Sequence, residues 1–381
     1  MAISLLRRDG KIVSHGWISK RLPLLFILLL IGALALLFTS HNQRFYRRPI
    51  ARVEAVKAGT VQRTSDQFKN IDHEHNQTLT VRLMNTRYRG QRLQVSNTYS
   101  DSQPMDQRYH VGDQIFLTQL RKRHHQLSAN VAGYKRDTVV VFLSWLVCLM
   151  LIMMMGRAGS LALASVVVNS LLFIIAIEID LKNNGQHVLL IFGTLAVIFT
   201  VVSLLLILGP TMKMLATVAA TLLGTFLALG LSLLVFSWTH ERGIYYESMQ
   251  YVTQVPRPLF VAETLLGSLG AVMDESSDII ATLFELKQLN PRIGRGALFM
   301  SGRNVGKSIM GPLINVLFLI FMTETFTSSL LYIKNGNSWG YTFAMNMSLG
   351  TVQSLVSGIG IVLAVPLVSG FGALLLGRQK K

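Results

Sequence analysis

The chain carries its apolar residues in long blocks, and this feature limits its possible folds more than any other. Hydrophobic residues make up 51% of its 381 residues, and charged residues make up only 14%. A helix needs about 20 predominantly apolar residues to cross the hydrocarbon core of a bilayer, and the blocks have about that length. The sequence therefore predicts a mainly α-helical, polytopic membrane protein with eight spans. These are residues 22–39, 138–155, 160–181, 188–208, 214–238, 258–285, 308–332 and 349–376.

The predicted spans divide the chain into three parts. Residues 1–40 contain the N-terminus and the first span, which lacks a small-x-small cleavage site and is expected to remain as an anchor. Residues 41–136 are polar and long enough for one small domain. Residues 137–381 contain the other seven spans.

The distribution of Lys and Arg between short loops predicts the orientation, because cytoplasmic loops are enriched in both. With the N-terminus inside, the inner segments hold fifteen such residues and the short outer loops hold four. The chain is therefore predicted to lie in a cell membrane with both termini on the cytoplasmic side. The inner residues are Arg7, Arg8, Lys11, Lys20, Arg21, Arg157, Lys213, Lys287, Arg292, Arg295, Arg303, Lys307, Arg378, Lys380 and Lys381, and the outer ones are Lys182, Arg242, Arg257 and Lys334.

Residues 41–136 are predicted to fold as a small extracytoplasmic β domain. Apolar and polar residues alternate around Leu79–Leu83 and Leu93–Val95, which is typical of half-buried strands. Tyr88-Arg89-Gly90 indicates the turn between these two strands, and Gly112-Asp113 introduces another strand at Gln114. A small barrel or sandwich, of the oligonucleotide/oligosaccharide-binding (OB) type, is the expected architecture.

The outer domain is strongly basic, with 17 Lys and Arg against 7 Asp and Glu. One interpretation is a surface that attracts anionic lipid headgroups or an anionic envelope polymer. The other is a solvated face that keeps the domain soluble. The net charge of +17 for the whole chain is partly a consequence of topology, so we expect no nucleic-acid partner.

The predicted sixth span is unusual because it contains acidic residues. At 100° per residue, Glu263, Asp274, Asp278 and Glu285 fall on one helix face, while Glu275 lies further round. A charged side chain near the middle of a bilayer costs about 2.5–3.5 kcal/mol on insertion scales. The central pair, Asp274 and Asp278, therefore predicts either an ion or proton site or a structural polar contact with neighbouring helices. Intramembrane hydrolysis by this carboxylate pair is a third reading.

The predicted seventh span begins with a polar, glycine-rich stretch from Ser301 to Pro312. Gly302 and Gly306 lie four residues apart, a spacing that lets another helix approach closely, and Gly311-Pro312 is expected to break the helix. Three polar residues join Asp274, Glu275 and Asp278 in the candidate intramembrane site, with an expected Asp278–Asn315 contact and an expected Lys307–Glu285 ion pair. They are Asn304, Lys307 and Asn315.

Other reactive groups do not form a recognisable site. Gly306-Lys307-Ser308 lacks the upstream glycine and the strand of a phosphate-binding loop. His73-Glu74-His75 supplies at most part of a metal ligand set, and the only cysteine, Cys148, lies within a predicted span. We expect no catalytic residue, no cofactor and no metal, so the chain is not predicted to be an enzyme. Inter-helix hydrogen bonds are expected for Asn169, Thr217, Thr221 and Thr225.

Several segments together resemble the YibE/F family of bacterial membrane proteins, and the resemblance covers nearly the whole chain. In the outer domain it rests on Tyr88-Arg89-Gly90 and Val111-Gly112-Asp113. In the membrane part it rests on Gly270–Asp274, Leu286–Pro291, Ser301–Gly306 with Ile309-Met310-Gly311 and Asn315, and Ser357–Pro366. The chain departs from the family pattern at Lys307-Ser308, Pro312 and Val316.

The resemblance implies an outer β domain and a second subunit, because similar family members are encoded as pairs of which only one has the outer domain. It brings no established activity. Two functions are therefore predicted: a transport-like or ion-coupled membrane component, and a non-catalytic envelope scaffold or sensor whose outer domain binds an anionic polymer or a partner protein. The expected partners are membrane lipid, a second subunit of the same family or a homo-oligomer, and that polymer.

Overall fold

The computed structural model describes residues 14–67, 69–103, 106–123, 126–249 and 255–376. The chain divides into two compact units, Met1–Ser160 and Leu161–Lys381. Part of the predicted orientation signal lies outside the described residues, namely Arg7, Arg8, Lys11, Arg378, Lys380 and Lys381. The same holds for His124 and His125 of the outer domain.

The first unit contains a five-stranded antiparallel sheet with the strand order β3-β2-β1-β4-β5. The predicted turn is confirmed between β2 and β3, where Gly90 has a φ of 86° and its N–H donates to the carbonyl of Leu83. β3 and β5 approach each other at the two edges, but no backbone ladder joins them. The sheet is therefore not closed, and the predicted barrel is not confirmed. The strands are β1 (Ile50–Ser65), β2 (Ile71–Leu83), β3 (Arg92–Ser100), β4 (Gln114–Arg123) and β5 (Gln126–Tyr134).

The predicted alternation of apolar and polar residues produces one sheet core. Every second residue is buried from Gln77 to Leu83 of β2 and at Leu93 and Val95 of β3, as the period of a strand requires. The buried residues include all of those predicted from the alternation. They are Ala51, Val53, Leu79, Val81, Leu83, Leu93, Val95, Tyr109, Ile115 and Leu117.

Two helices of the first unit, α1 (Ser14–His41) and α2 (Asp137–Met155), flank the sheet in sequence and pack against each other. The indole N–H of Trp145 donates to the carbonyl of Leu28 at 2.9 Å. At the sheet end of α2, the Asp137 carboxylate accepts hydrogen bonds from Lys135 at 2.7 Å and from Asn42 at 3.0 Å. The Lys135 side chain is only 1% exposed, whereas the Asp137 side chain is 21% exposed, so this ion pair is partly shielded from water.

The remaining helices are long, as the apolar blocks predict. Proline and glycine do not interrupt α7, which is continuous through Gly311-Pro312, so the predicted break is wrong. A π-helical turn at Phe343–Met347 precedes the last helix. The helices are α3 (Arg157–Lys182), α4 (Val188–Leu208), α5 (Met212–Trp238), α6 (Pro256–Leu289), α7 (Arg295–Lys334), α8 (Trp339–Thr342) and α9 (Ser348–Leu376).

Within the described residues, seven helical segments are long and apolar enough to cross a membrane. They correspond to seven of the eight predicted spans. The exception is α6, whose carboxylates interrupt its apolar sequence. Yet 14 of the 34 residues of α6 are buried, against four of the 40 in α7, so one side of α6 packs extensively against other helices. It packs against α4, α5, α7 and α9.

Candidate functional site

Glu275 lies on the internal side of α6 and is the most unusual polar residue of the structure. Its side chain is 0% exposed. Neither carboxylate oxygen has a hydrogen-bond partner among the described residues, and the hydroxyl of the adjacent Ser276 is also buried without a partner. Buried polar groups are normally satisfied by the protein or by ordered water. An unsatisfied buried carboxylate is therefore a candidate site for a proton or a cation.

Close helix packing positions this residue. Val272, one turn before Glu275, contacts α5 and α9 at two glycines, because a Cβ on Gly224 would lie 3.4 Å from Val272 Cγ1 and one on Gly360 would lie 2.7 Å from Val272 Cγ2. The absence of a side chain at both glycines lets three helices meet beside Val272. Glu275 is consequently surrounded by protein and not by lipid.

Two threonines of α5 lie at nearly the same depth as Glu275. α5 and α6 are antiparallel, so Thr221, three residues before Gly224, is level with Glu275, and Thr225 is level with Ala271. Both threonine hydroxyls are buried without a partner. We call Glu275, Ser276, Thr221 and Thr225 the buried polar cluster. The sequence indicated inter-helix hydrogen bonds for both threonines, but they make none among the described residues.

Two other predictions of inter-helix bonding have different outcomes. Asn169 of α3 donates to Ser203 of α4 at 2.6 Å, which confirms the first. Thr217 instead donates to the carbonyl of Lys213 on its own helix at 2.9 Å. A hydroxyl that bonds to its own helix needs no partner on another.

The four acids predicted to share one face do so, and that face points away from the neighbouring helices. Glu263, Asp274, Asp278 and Glu285 are all exposed on α6. We call them the acidic face. Asp274 and Asp278 are thus exposed, whereas Glu275, which lies between them in sequence, is buried. The sequence had weighted this central pair above Glu275.

The three candidate residues of α7 also point outward. Asn304, Lys307 and Asn315 are exposed, and none of their side chains makes a hydrogen bond or an ion pair with another described residue. They therefore do not join Glu275 in one site within a single chain.

The packing of α7 on α6 explains why two expected contacts are not made. A Cβ on Gly302 would lie 3.1 Å from Leu283 Cδ1, which sets these two residues at one depth. Counting 1.5 Å per residue from there, Asn315 lies about 12 Å in depth from Asp278. Lys307 is level with Asp278 and about 10 Å from Glu285 by the same count. No hydrogen bond joins Asp278 to Asn315 in the described chain, and no ion pair joins Lys307 to Glu285.

The predicted role of the glycines of α7 is confirmed. A Cβ on Gly306 would lie 2.5 Å from Val365 Cγ1, and one on Gly302 would lie 2.5 Å from Ser369 Oγ. Both neighbours belong to α9. The four-residue glycine spacing therefore allows α9 to pack closely on α7, as it does in other membrane helix pairs.

His73 and His75 of the outer domain both lie within hydrogen-bond distance of Asp101. His75 Nε2 lies 2.8 Å from Asp101 Oδ1, and His73 Nδ1 lies 3.2 Å from Asp101 Oδ2. The described residues contain no group of three or more His, Cys, Asp or Glu arranged to hold a metal ion.

A five-stranded outer domain followed by long apolar helices around a buried carboxylate defines a class: integral membrane proteins with one folded domain outside the helices. Two family models match the chain. "YibE/F-like protein" matches residues 143–378, and "YibE/F family N-terminal domain" matches residues 44–134. The chain belongs to the YibE/F family. Comparisons with curated proteins and with solved structures give no match.

Proposed function

We propose that this chain is an ion-coupled, transport-like component of a cell membrane, in which Glu275 binds the coupling ion. One observation carries the proposal: a carboxylate with 0% exposure has no partner for either oxygen. A charge buried in this way costs several kcal/mol unless a proton or a cation accompanies it. The two ions that fit are H⁺ and Na⁺.

The rest of the buried polar cluster supports this chemistry. Ser276 and Thr221 supply hydroxyl oxygens at the depth of Glu275, and hydroxyl and carboxylate oxygens are suitable ligands for a hard cation. The same hydroxyls can relay a proton, since each can donate and accept a hydrogen bond. Either ion would satisfy groups that are otherwise left unpaired.

The orientation predicted from the loop charges gives the depth of Glu275 in the membrane. With α6 as an eighth crossing and both termini cytoplasmic, Glu275 lies near the middle of the membrane. An ion bound there would be about equally far from both sides, which is where transporters place coupling sites.

Ion flux into proteoliposomes tests the proposal. With an imposed gradient of H⁺ or Na⁺, Glu275→Gln is expected to lower flux at least about 100-fold, because glutamine keeps the shape but cannot carry the charge. Glu324→Gln is the matched control, because Glu324 is an exposed carboxylate on α7, outside the acidic face, and we expect less than a twofold change. Wild-type flux in Glu275→Gln for both ions would refute the proposal.

The acidic face supports a second proposal about assembly. Outward carboxylates at membrane depth need protein or water beside them. We propose that the face is covered by a second subunit, either another copy of this chain or another member of the family. Lys307 supports this arrangement, because it lies outward at the depth of Asp278 and would meet that acid across a two-fold interface.

Cysteine cross-linking tests the assembly. In a Cys148→Ser background, Asp278→Cys combined with Lys307→Cys is expected to give a disulfide-linked dimer in native membranes. Leu215→Cys combined with Lys307→Cys is the control, because Leu215 is exposed on a different helix, α5, at nearly the depth of Lys307. A dimer in the control and not in the test pair would overturn the assignment of the interface, and a dimer in neither pair would favour a different subunit.

A non-catalytic envelope scaffold remains the second candidate function, and it is favoured by the exposed basic residues of the sheet, such as Lys57, Arg63, Arg87 and Arg89. Such a surface attracts a polyanion through charge, so binding should weaken as salt rises. The test is retention of the full chain on an anionic polymer matrix. Retention that is independent of salt would contradict this function.

A further inference from the structure

The outer domain contains a cavity of about 250 Å³ that is separate from the helix core. Its walls come from β1, β2, β3 and residues 108–111, and much of the lining is apolar, including Val56, Val61 and Val111. Basic and amide side chains complete the lining at His75, Gln77 and Arg108. None of the described residues that line it is a carboxylate.

Gln77 provides a hydrogen-bond donor that the protein itself does not use. It is 3% exposed and lies on the same face of β2 as the core residue Leu79. Its Nε2 is buried and has no acceptor among the described residues. A buried amide without a partner is unfavourable, so an acceptor atom from outside the protein would be bound with a gain in free energy.

Arg108 provides a positive charge at the cavity, beside the Tyr99 ring. Its guanidinium lies 5.8 Å from the centre of the Tyr99 ring, and its backbone N–H donates to Gln103 Oε1 at 3.3 Å. Burial raises the pKa of Tyr134 to about 12. The neutral phenol donates a hydrogen bond to the backbone carbonyl of Arg108. In the described part of the chain, no carboxylate pairs with the Arg108 side chain.

The Tyr99 ring also stacks against a second residue of the cavity lining, His75. His75 stacks on Tyr99 with ring centres 5.0 Å apart and planes 9° apart, and Asp101 holds His75 Nε2. The Arg108 cation, the apolar walls and the Gln77 side chain therefore line one preformed cavity. Preformed concave sites with apolar walls and a few directed polar groups are typical of small-molecule binding.

We propose that this cavity binds a small organic anion with an apolar body. The carboxylate of the ligand pairs with Arg108, the apolar part contacts the valines, and a ligand oxygen accepts from Gln77. The volume is below the usual range for drug-sized ligands, which restricts the ligand to a small molecule. This site is distinct from the basic surface proposed to attract a polymer, and it does not depend on ion binding at Glu275.

Fluorine NMR on the full chain in lipid nanodiscs tests the proposal, with empty nanodiscs as the blank. The probe is para-fluorophenylacetate, which has a carboxylate and an apolar ring. We expect the fluorine signal of the probe to broaden as protein is added, and the broadening to level off when the probe is saturated. The neutral para-fluorophenylacetamide and the anion monofluorophosphate should each bind at least about tenfold more weakly, because each lacks one half of the recognition. Equal binding of either analogue, or no binding of the probe, would overturn the proposal.

Two substitutions assign the binding to this cavity. Arg108→Gln should weaken para-fluorophenylacetate binding at least about tenfold, because it removes the charge that pairs with the carboxylate. Arg89→Gln removes an equally exposed arginine from the β2–β3 turn and should leave binding within about twofold. Unchanged binding in Arg108→Gln, or the same loss in both variants, would place the anion elsewhere.

Gln77→Leu separates a ligand-binding role from a structural one. If the Gln77 amide stabilised the fold, its loss would lower the stability of the ligand-free protein. The loss of an unpaired amide would not. We therefore expect weaker probe binding together with an equal or higher thermal midpoint. Ala58→Trp is the independent variant, because Ala58 lines the cavity from an exposed position and the added indole should block the probe without disturbing the core. Full binding in Ala58→Trp would contradict the location.

Discussion

Asn85 in the outer domain and Glu275 in the helix core are both buried polar residues, but they are satisfied to opposite degrees. Asn85 is 4% exposed, and both ends of its amide are hydrogen-bonded, with three carbonyls sharing the two N–H groups. Its Oδ1 accepts from the N–H of Ile50 at 2.7 Å, and its Nδ2 donates to the carbonyls of Gln43, Tyr46 and Arg48 at 3.0, 3.1 and 2.8 Å. Glu275, at 0% exposure, uses neither oxygen.

This difference separates a polar residue that stabilises the fold from one that is available to bind something. Asn85 joins the chain between α1 and β1 to the sheet, so its hydrogen bonds are part of the folded state. Glu275 contributes no such bond, and its burial without a partner opposes folding. Substitutions at the two positions should therefore change stability in opposite directions.

The largest effect on stability is expected from Asn85→Leu. It leaves the Ile50 N–H buried without an acceptor and releases three backbone carbonyls, which should lower the free energy of unfolding of the outer domain by about 3 kcal/mol. Hydrogen exchange of the sheet amides in the full chain measures this change. Asn130→Leu is the control, because Asn130 is exposed, and its expected change is within about 0.5 kcal/mol. Equal losses in the two variants would remove the contrast with Glu275.

The packing around the helix core gives the next largest effect. Gly306→Ala would place a Cβ 2.5 Å from Val365 Cγ1, so α7 and α9 must separate, and we expect a loss of about 2 kcal/mol. Gly311→Ala is matched on the same helix, where nothing lies within 4 Å of the added Cβ. Its stability should be unchanged or slightly higher. Thermal unfolding in detergent compares the two, and a Gly311→Ala loss as large as that of Gly306→Ala would contradict the packing.

Glu275→Gln should raise stability, in contrast to Asn85→Leu. Glutamine keeps the side-chain shape and needs no accompanying ion, so the substitution is expected to add about 1 kcal/mol to the free energy of unfolding. The same thermal unfolding measurement checks the sign. If the variant is instead less stable than the wild type, Glu275 has a structural partner and resembles Asn85.

The smallest effect is expected at Asp72, where the polar contacts are exposed. Its pKa is lowered chiefly by the hydrogen bond that the Ser102 hydroxyl donates to it. Ser102→Ala should therefore raise the pKa of Asp72 towards its ordinary value, as an NMR titration would show. Because a lowered carboxyl pKa stabilises the folded state only above the unfolded pKa, any stability difference should disappear as the pH falls through the pKa of Asp72. An unchanged pKa would contradict the assigned cause.

Local patterns predicted much of the architecture. Alternation around Leu79–Leu83 placed β2, the turn at Tyr88-Arg89-Gly90 placed the hairpin, and seven apolar blocks became seven helical segments that meet the requirements for a span. The helical period also placed the four acids on one face of α6. These features depend on backbone geometry and on residues close in sequence.

The identity of the internal residue could not be predicted in this way. α6 carries polar side chains on both sides, with Ser268 and Glu275 on one and Asp274 and Asp278 on the other. The period relates these residues to one another but does not say which side meets α5 and α9. Serines at 268 and 276, on the side away from the acidic face, were the available signal that this side meets other helices, because small residues are enriched where membrane helices pack.

The sequence alone determined which residues share a strand, a helix or a helix face, because successive side chains are related by fixed rotations of the local backbone. Tertiary structure decided what each face meets. Gly224 and Gly360 contact Val272 and so enclose Glu275, and Gly302 against Leu283 sets Lys307, not Asn315, level with Asp278. Tertiary structure also determined that the sheet stays open between its edge strands β3 and β5. Such contacts join residues far apart in the chain, and their register depends on the packing of whole elements.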